Sequence, residues 1–231
     1  MSKTDEPLHG LQWLSEYLGA EEWWMRKPTT WADADDALVD LMSGYRRSMW
    51  QDADVCVEVW CESDSIAGVL WPVTRKWDLP LYPAKGQSSI TFAYGAAMTY
   101  RDEPRPLIIY YIGDRDPAGL EIEANLERKL AEYSGREIPI RRLACTWAQV
   151  SQLGLIGGPP KKKTWRHPTF GSQPFIGEAV EVEAIDAPIL RQIVEDAIVS
   201  HIDPHVLRSH KMSEREEREG LQRILDRRWS E

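Results

Sequence analysis

At 231 residues and a net charge of −9, the chain is long enough for one sizeable α/β core with an appendage and too short for two domains of average size. No apolar run reaches membrane-spanning length, and the N-terminus Met-Ser-Lys-Thr-Asp-Glu-Pro lacks the apolar stretch of a signal peptide, so a cytoplasmic protein with no membrane partner is expected. The acidic balance argues against a general polyanion-binding surface and leaves room only for local basic contacts with nucleic acid. Cys56, Cys61 and Cys145 are odd in number and have no metal-type spacing, so they read as reduced thiols.

Residues 1–30 carry Trp13, Trp23 and Trp24 among Glu and Gly and read as an N-terminal arm. Thr30 with Asp33 resembles a capping box, and Leu38, Leu41, Met42, Tyr45 and Met49 form the apolar stripe of a helix leading into the sheet. Val55 to Trp60 alternates as a first strand, and Cys61-Glu62-Ser63-Asp64 turns it into a helix running to about Trp77 with a bend at Pro72. Leu81 to Ala84 is a short second strand, followed by a helix through Phe92, Ala96 and Ala97 that Ser88 or Ser89 would cap.

The third strand, Leu107 to Ile112, is β-branched and aromatic with no charged member, the pattern of a strand covered on both faces in a parallel sheet. It runs into Gly113-Asp114-Arg115-Asp116-Pro117-Ala118-Gly119. Pro117 fits the first position of a helix whose apolar residues are Ile122, Leu126, Leu130 and Tyr133. Asp114 and Asp116, two apart on an extended exit, can point the same way at the strand's carboxyl end, where open α/β sheets place their ligands. Two such carboxylates suit Mg²⁺, which usually takes one or two protein carboxylates and fills its other positions with water and phosphate oxygens. The same residues also read as ordinary turn chemistry, with Asp116 as the helix N-cap and Asp114 following Gly113 in a turn.

Ile138 to Leu143 supplies a fourth strand. Gln152 to Gly177, rich in Gly, Pro and Lys, reads as a surface loop, followed by a strand Ala179 to Ala184 and a helix from Pro188 with Ile189, Ile193, Ala197 and Ile198 on one side. His201 and His205 are spaced four apart, but Pro204 between them argues against one regular helix and a zinc pair. Ser213 with Glu216 reads as a capping box opening a charged C-terminal helix. Strands alternating with helices predict an α/β fold: a Rossmann-like parallel sheet of about four strands with helices on both faces, plus an N-terminal arm and C-terminal helices. The implied segments are an arm over 1–30, the sheet domain over 31–205 and a charged helix over 206–231.

Glu62 leaves the first strand as Asp114 leaves the third, so in a parallel sheet both lie on one edge. Lys161-Lys162-Lys163-Thr164-Trp165-Arg166 is a basic run with an embedded aromatic, suited to tracking a phosphate backbone, and equally a solvated charge run. Lys85 follows the second strand and is a further candidate for phosphate. Glu58 shares a strand with Glu62 but lies further from its end, and Glu183 and Asp186 are candidates for an acidic rim.

A glutamate at one strand end with Asp-x-Asp at another resembles the Toprim domain of topoisomerases, primases and several nucleases. Val57 to Leu70, Gly113 to Gly119 and Val180 to Asp186 are similar to the Toprim half of topoisomerase VI A subunits and their phage and actinobacterial relatives, over roughly residues 30–205. The resemblance implies Glu62 as the catalytic glutamate, Asp114 and Asp116 as Mg²⁺ ligands with Mn²⁺ able to substitute, and DNA phosphodiester bonds as substrate for a nuclease or topoisomerase-like subunit. It also implies a partner chain supplying the winged-helix domain and its cleavage tyrosine, for which roughly 50 residues before the first strand leave too little room, and it allows a homodimer. The relatives usually carry Lys after the glutamate, where this chain has Ser63. The rival reading is a nucleic-acid-binding or assembly subunit that retains the fold without catalysis.

Overall fold

The computed structural model describes residues 30–84 and 90–228. Lys85, Ser88, Ser89, Tyr17 and the arm tryptophans Trp13, Trp23 and Trp24 lie outside the described residues. The chain divides into two compact units, Met49–Ile202 and a second made of Met1–Ser48 with Asp203–Glu231.

In the second unit, helix α1 (Ala34–Gly44) is capped by Asp33, whose Oδ1 accepts the N–H groups of Asp35 and Asp36 at 3.0 and 2.9 Å. The expected start thus holds, with Asp33 in place of Thr30 as the cap. Beyond α1, the Tyr45 hydroxyl donates to Glu217 at 2.7 Å, and Arg47 pairs with the same carboxylate. The helix predicted to lead into the sheet therefore associates with the C-terminal helix. That C-terminal helix begins at Pro204 and runs to Arg228, so Ser213 and Glu216 lie inside it and open nothing. Pro at a first helical position needs no N–H partner, and the preceding Asp203 accepts from the His205 N–H at 2.6 Å.

The larger unit is built on four parallel strands, β1 (Cys56–Cys61), β2 (Leu81–Pro83), β3 (Leu107–Ile112) and β4 (Ile140–Ala144), in the order β2-β1-β3-β4. The central β3 is buried at every position, as its uncharged sequence requires. Helices α2 (Asp64–Lys76), α3 (Ile90–Arg101) and α4 (Pro117–Ser134) connect the strands, and this Rossmann-like α/β arrangement is the predicted one. Helix α2 continues through Pro72 and is capped by the Ser63 hydroxyl. One face of the sheet buries Trp60, Leu107, Ile109 and Tyr111 against Ala97 and Tyr100 of α3 and Leu126 and Leu130 of α4. The odd residues Val57, Val59 and Cys61 of β1 point to the opposite face. On that side of the chain α2 packs with α6 (Ala187–Val199).

Three details depart from the sequence reading. Thr146 caps a short helix α5 (Trp147–Gln152) through a capping box with Gln149. The stretch read as loop contains an antiparallel hairpin, β5 (Thr164–His167) with β6 (Gly171–Pro174). The strand expected over Ala179 to Ala184 reduces to two isolated bridges, Gly158 with Ala179 and Arg115 with Val180, followed by a 3₁₀ turn at Val182–Ala184.

Glu58 points into the face covered by α3 and is only 5 % exposed. Its Oε2 accepts from Trp60 Nε1 at 2.9 Å and from the Tyr100 hydroxyl. Burial pushes its pKa up, against the two hydrogen bonds that hold it down. It belongs to the core and not to the strand-end edge. A raised carboxyl pKa means that the folded state binds the proton more tightly, so stability is greatest below the free carboxyl range and falls as pH rises through the folded value. Glu58→Gln keeps an acceptor and removes the charge, so its melting temperature should match wild type near pH 4 and exceed it at pH 8. Each unit of pKa elevation corresponds to ~1.4 kcal/mol of that gap. Parallel melting curves at the two pH values would contradict the assignment.

Candidate active site at the strand ends

In a sheet ordered 2-1-3-4 the connections run outward in opposite directions from β1 and β3, leaving a crevice at their carboxyl ends. Glu62 and Asp114 both sit there. The Glu62 N–H donates to the Ile112 carbonyl at 2.9 Å, extending the β1–β3 ladder one step past the strands. The Glu62 Oε2 then accepts the Asp114 N–H at 2.8 Å. This closeness depends on Gly113, because a Cβ there would lie 2.8 Å from Glu62 Oε2 and 2.7 Å from the Tyr111 ring.

Asp114 Oδ1 accepts the Val182 N–H at 2.8 Å, which ties the 3₁₀ turn to the strand end. Asp116 caps α4, its Oδ1 accepting the Gly119 N–H at 2.7 Å. A Cβ at Gly119 would meet the Asp114 carbonyl at 2.4 Å, so the Asp-Arg-Asp-Pro-Ala-Gly turn closes only with glycine in that place. The capping and ligand readings of Asp116 are compatible, since the cap uses one oxygen and leaves the other. Each of the three carboxylates thus has one oxygen held by a backbone N–H.

Burial and mutual repulsion govern the electrostatics of this acidic cluster. Burial, followed by the neighbouring Asp114 and Asp116 carboxylates, pushes the Glu62 pKa up, while the Asp114 N–H and Arg142 oppose it. Burial likewise raises Asp114, with Glu183, Asp116 and Glu181 adding to the effect. Glu183 therefore joins the rim, and its Oε1 accepts from the Ser65 hydroxyl at 3.0 Å. Asp186 stands at the start of α6, where its carbonyl accepts the Leu190 N–H.

Arg142 on β4 organises the turn. Its Nη1 donates to the Gly113 and Asp114 carbonyls at 2.8 and 2.9 Å, its Nη2 to Gly119 at 3.4 Å, and its Nε to Glu123 at 2.7 Å. The guanidinium also lies 5.4 Å from the Tyr111 ring centre. Arg142 thus brings a positive charge near the Glu62 carboxylate from another strand. Nothing in the sequence marked Arg142, which shares its strand with an ordinary-looking Arg141. Tyr111, an ordinary strand residue by its sequence, has a fully buried hydroxyl with no hydrogen-bond partner among the described residues, close to the same Gly113 position as Glu62 Oε2.

Mg²⁺ is the cation that this donor set fits in kind, since hard carboxylate oxygens on neighbouring strand ends match its preference. Among the described residues, no group of three or more His, Cys, Asp and Glu side chains stands close enough to hold a metal. The structure thus does not assemble Glu62, Asp114 and Asp116 into the three-carboxylate metal group that the sequence suggested.

Lys161, Lys162, Lys163 and Arg166 are all exposed on and before β5. The hairpin lies along α4, and the Arg166 N–H donates to Glu121 Oε1 at 2.8 Å, one turn beyond Asp116. Behind it, Arg115 is held between Trp147 and Phe175, at 4.8 and 5.7 Å from their ring centres. No helix of the described chain is long and apolar enough to cross a membrane. Comparison with protein-family models, with curated proteins and with solved structures returns no match.

Proposed function

We propose that the unit Met49–Ile202 is a Toprim-like, Mg²⁺-dependent nuclease or topoisomerase-like module acting on DNA phosphodiester bonds. The observation that carries the reading is the Glu62 carboxylate bonded to Asp114 at the β1/β3 crevice, with Asp116 two residues on. Mg²⁺ bound there, or Mn²⁺ in its place, would supply Lewis-acid polarisation of the phosphate and an activated water. The protein's own part is to hold the carboxylates in place through Gly113, Gly119 and Arg142. Glu62, whose pKa burial raises above the free carboxyl value, is the carboxylate placed to move a proton in this reading. Lys161, Lys162, Lys163 and Arg166 would take the flanking phosphates.

Water is the nucleophile in this reading, because neither Tyr17 nor Tyr45 sits in a motif matching the cleavage tyrosine, and Tyr111, the tyrosine beside Glu62, is fully buried. End-labelled DNA incubated with protein and Mn²⁺ and run on a denaturing gel tests it. Free, protein-less ends that vanish in Glu62→Gln are expected, whereas a protease-sensitive shifted band would overturn the hydrolytic mechanism. The rival, a non-catalytic DNA-binding or assembly subunit, draws on the absence of a three-ligand group among the described residues, and binding without cleavage under either metal would favour it.

A further inference from the structure

The hairpin carries more than positive charge. Residues 138–177 contain no Asp or Glu, in a chain of net charge −9, and they include Lys161, Lys162, Lys163 and Arg166. Along β5, Trp165 and His167 share one face of the strand. Trp165 meets His167 edge-on at 5.6 Å, and Phe170 in the turn lies over His167 at 4.5 Å with the rings inclined by 33°. The His167 Nδ1 accepts the N–H groups of both Thr169 and Phe170, at 3.1 and 3.2 Å, which fixes the ring and the turn together. Gly171, at φ 71°, supplies the left-handed residue that returns the chain into β6. The three-ring stack ends in Phe170, which is 72 % exposed.

An open aromatic face held rigidly beside lysines is what an unpaired nucleobase recognises. In a duplex the base faces are already covered by their neighbours, so a duplex can use the lysines but not Phe170. The lysines precede β5 at the end nearer Asp116, and Phe170 lies at the turn. At ~3.3 Å per strand residue the two are separated by roughly 13 Å, so both can be touched by one short single strand. We propose that the β5–β6 hairpin is a single-strand binding element in which Phe170 stacks an unpaired base and Lys161, Lys162 and Lys163 hold the adjoining phosphates. This rests on the nucleic-acid reading above and specifies its substrate as single-stranded.

Fluorescence anisotropy with the full chain and labelled oligonucleotides of about twelve nucleotides, within the usual span of single-strand sites, tests it. EDTA is present, so that the result is independent of any metal chemistry. Oligo-dT and oligo-rU serve as the single strands, with a blunt duplex of equal length as the comparison. Tighter binding of at least one single strand than of the duplex is expected, and Phe170→Ala should weaken that binding about tenfold, Phe170→Trp should retain it, and duplex affinity should not change. Replacing all three lysines by Ala should flatten the salt dependence by roughly one unit of slope per lost contact. Unchanged single-strand affinity in Phe170→Ala, or an equal loss for duplex, overturns the stacking role. Binding of neither form overturns the hairpin as a nucleic-acid element, while metal binding at the carboxylates is judged separately by the Asp114 variant below.

Discussion

Mg²⁺ or Mn²⁺ is expected to raise the melting temperature of the wild-type protein, and Asp114→Asn is expected to abolish that rise and to raise the melting temperature of the metal-free protein. The two effects have one cause. Asp114 is forced to carry its charge where burial and the carboxylates of Glu183, Asp116 and Glu181 disfavour it. Its pKa is raised in the folded state, so its contribution is most favourable below the free carboxyl range and declines as pH rises through the folded value. Asn retains the acceptor that holds the Val182 N–H and loses the charge, so the gain should appear above about pH 4, the free carboxyl value, and be full at pH 8. In the wild type a divalent cation bound as proposed would offset the same repulsion. At a hundred times its dissociation constant it would contribute about 2.7 kcal/mol. For a chain of this size that is several degrees, at roughly 2–4 °C per kcal/mol. A metal-induced rise that survives in Asp114→Asn would remove Asp114 from the site.

Arg142→Ala should be the most destabilising single change in the site. The side chain is 12 % exposed, and its ion-pair partner Glu123 is 19 % exposed. Removing it leaves the Gly113, Asp114 and Gly119 carbonyls without their guanidinium donor and strands the Glu123 charge. Breaking one side of a buried pair costs about 3–5 kcal/mol, or roughly 10 °C here at 2–4 °C per kcal/mol. Arg142→Lys keeps the charge but cannot fork between several carbonyls and Glu123, so it should fall between the two. Melting curves of the three proteins decide it, and an Ala variant within 2 °C of wild type would mean that the turn is held by its glycines alone.

The strands and their order of use were legible because β3 has no charged residue and Pro117 marks a helix start. Glu62, Asp114 and Asp116 were legible as one edge for the same reason: in a parallel sheet, residues following strands end up together. What could not be read was anything set by long-range contact. Arg142 contacts residues 19 to 29 positions earlier in the chain, and one charged residue on a half-exposed strand gives no local sign of that role. The tie between Asp114 and Val182 spans 68 positions and replaces a strand that alternation alone suggested. The β5–β6 hairpin was hidden by its composition, since Gly, Pro and Lys also describe a loop. Its stack of Trp165, His167 and Phe170 emerges only when the register pairs His167 with Gly171. Ser213 and Glu216 matched a capping pattern inside a helix whose true start, at Pro204, is set by a proline and by Asp203.

The central claim is that the crevice between β1 and β3 takes a divalent cation on the Glu62 and Asp114 carboxylates. Crystals of the full chain soaked in Mn²⁺, with data collected near the manganese absorption edge, test it most directly. The account predicts an anomalous peak within ~2 Å of oxygens of Glu62 and Asp114, with water completing the shell at the distances usual for such ions. A peak elsewhere on the chain, or a crevice that stays empty at millimolar Mn²⁺ while Glu62 keeps its bond to the Asp114 N–H, would contradict it.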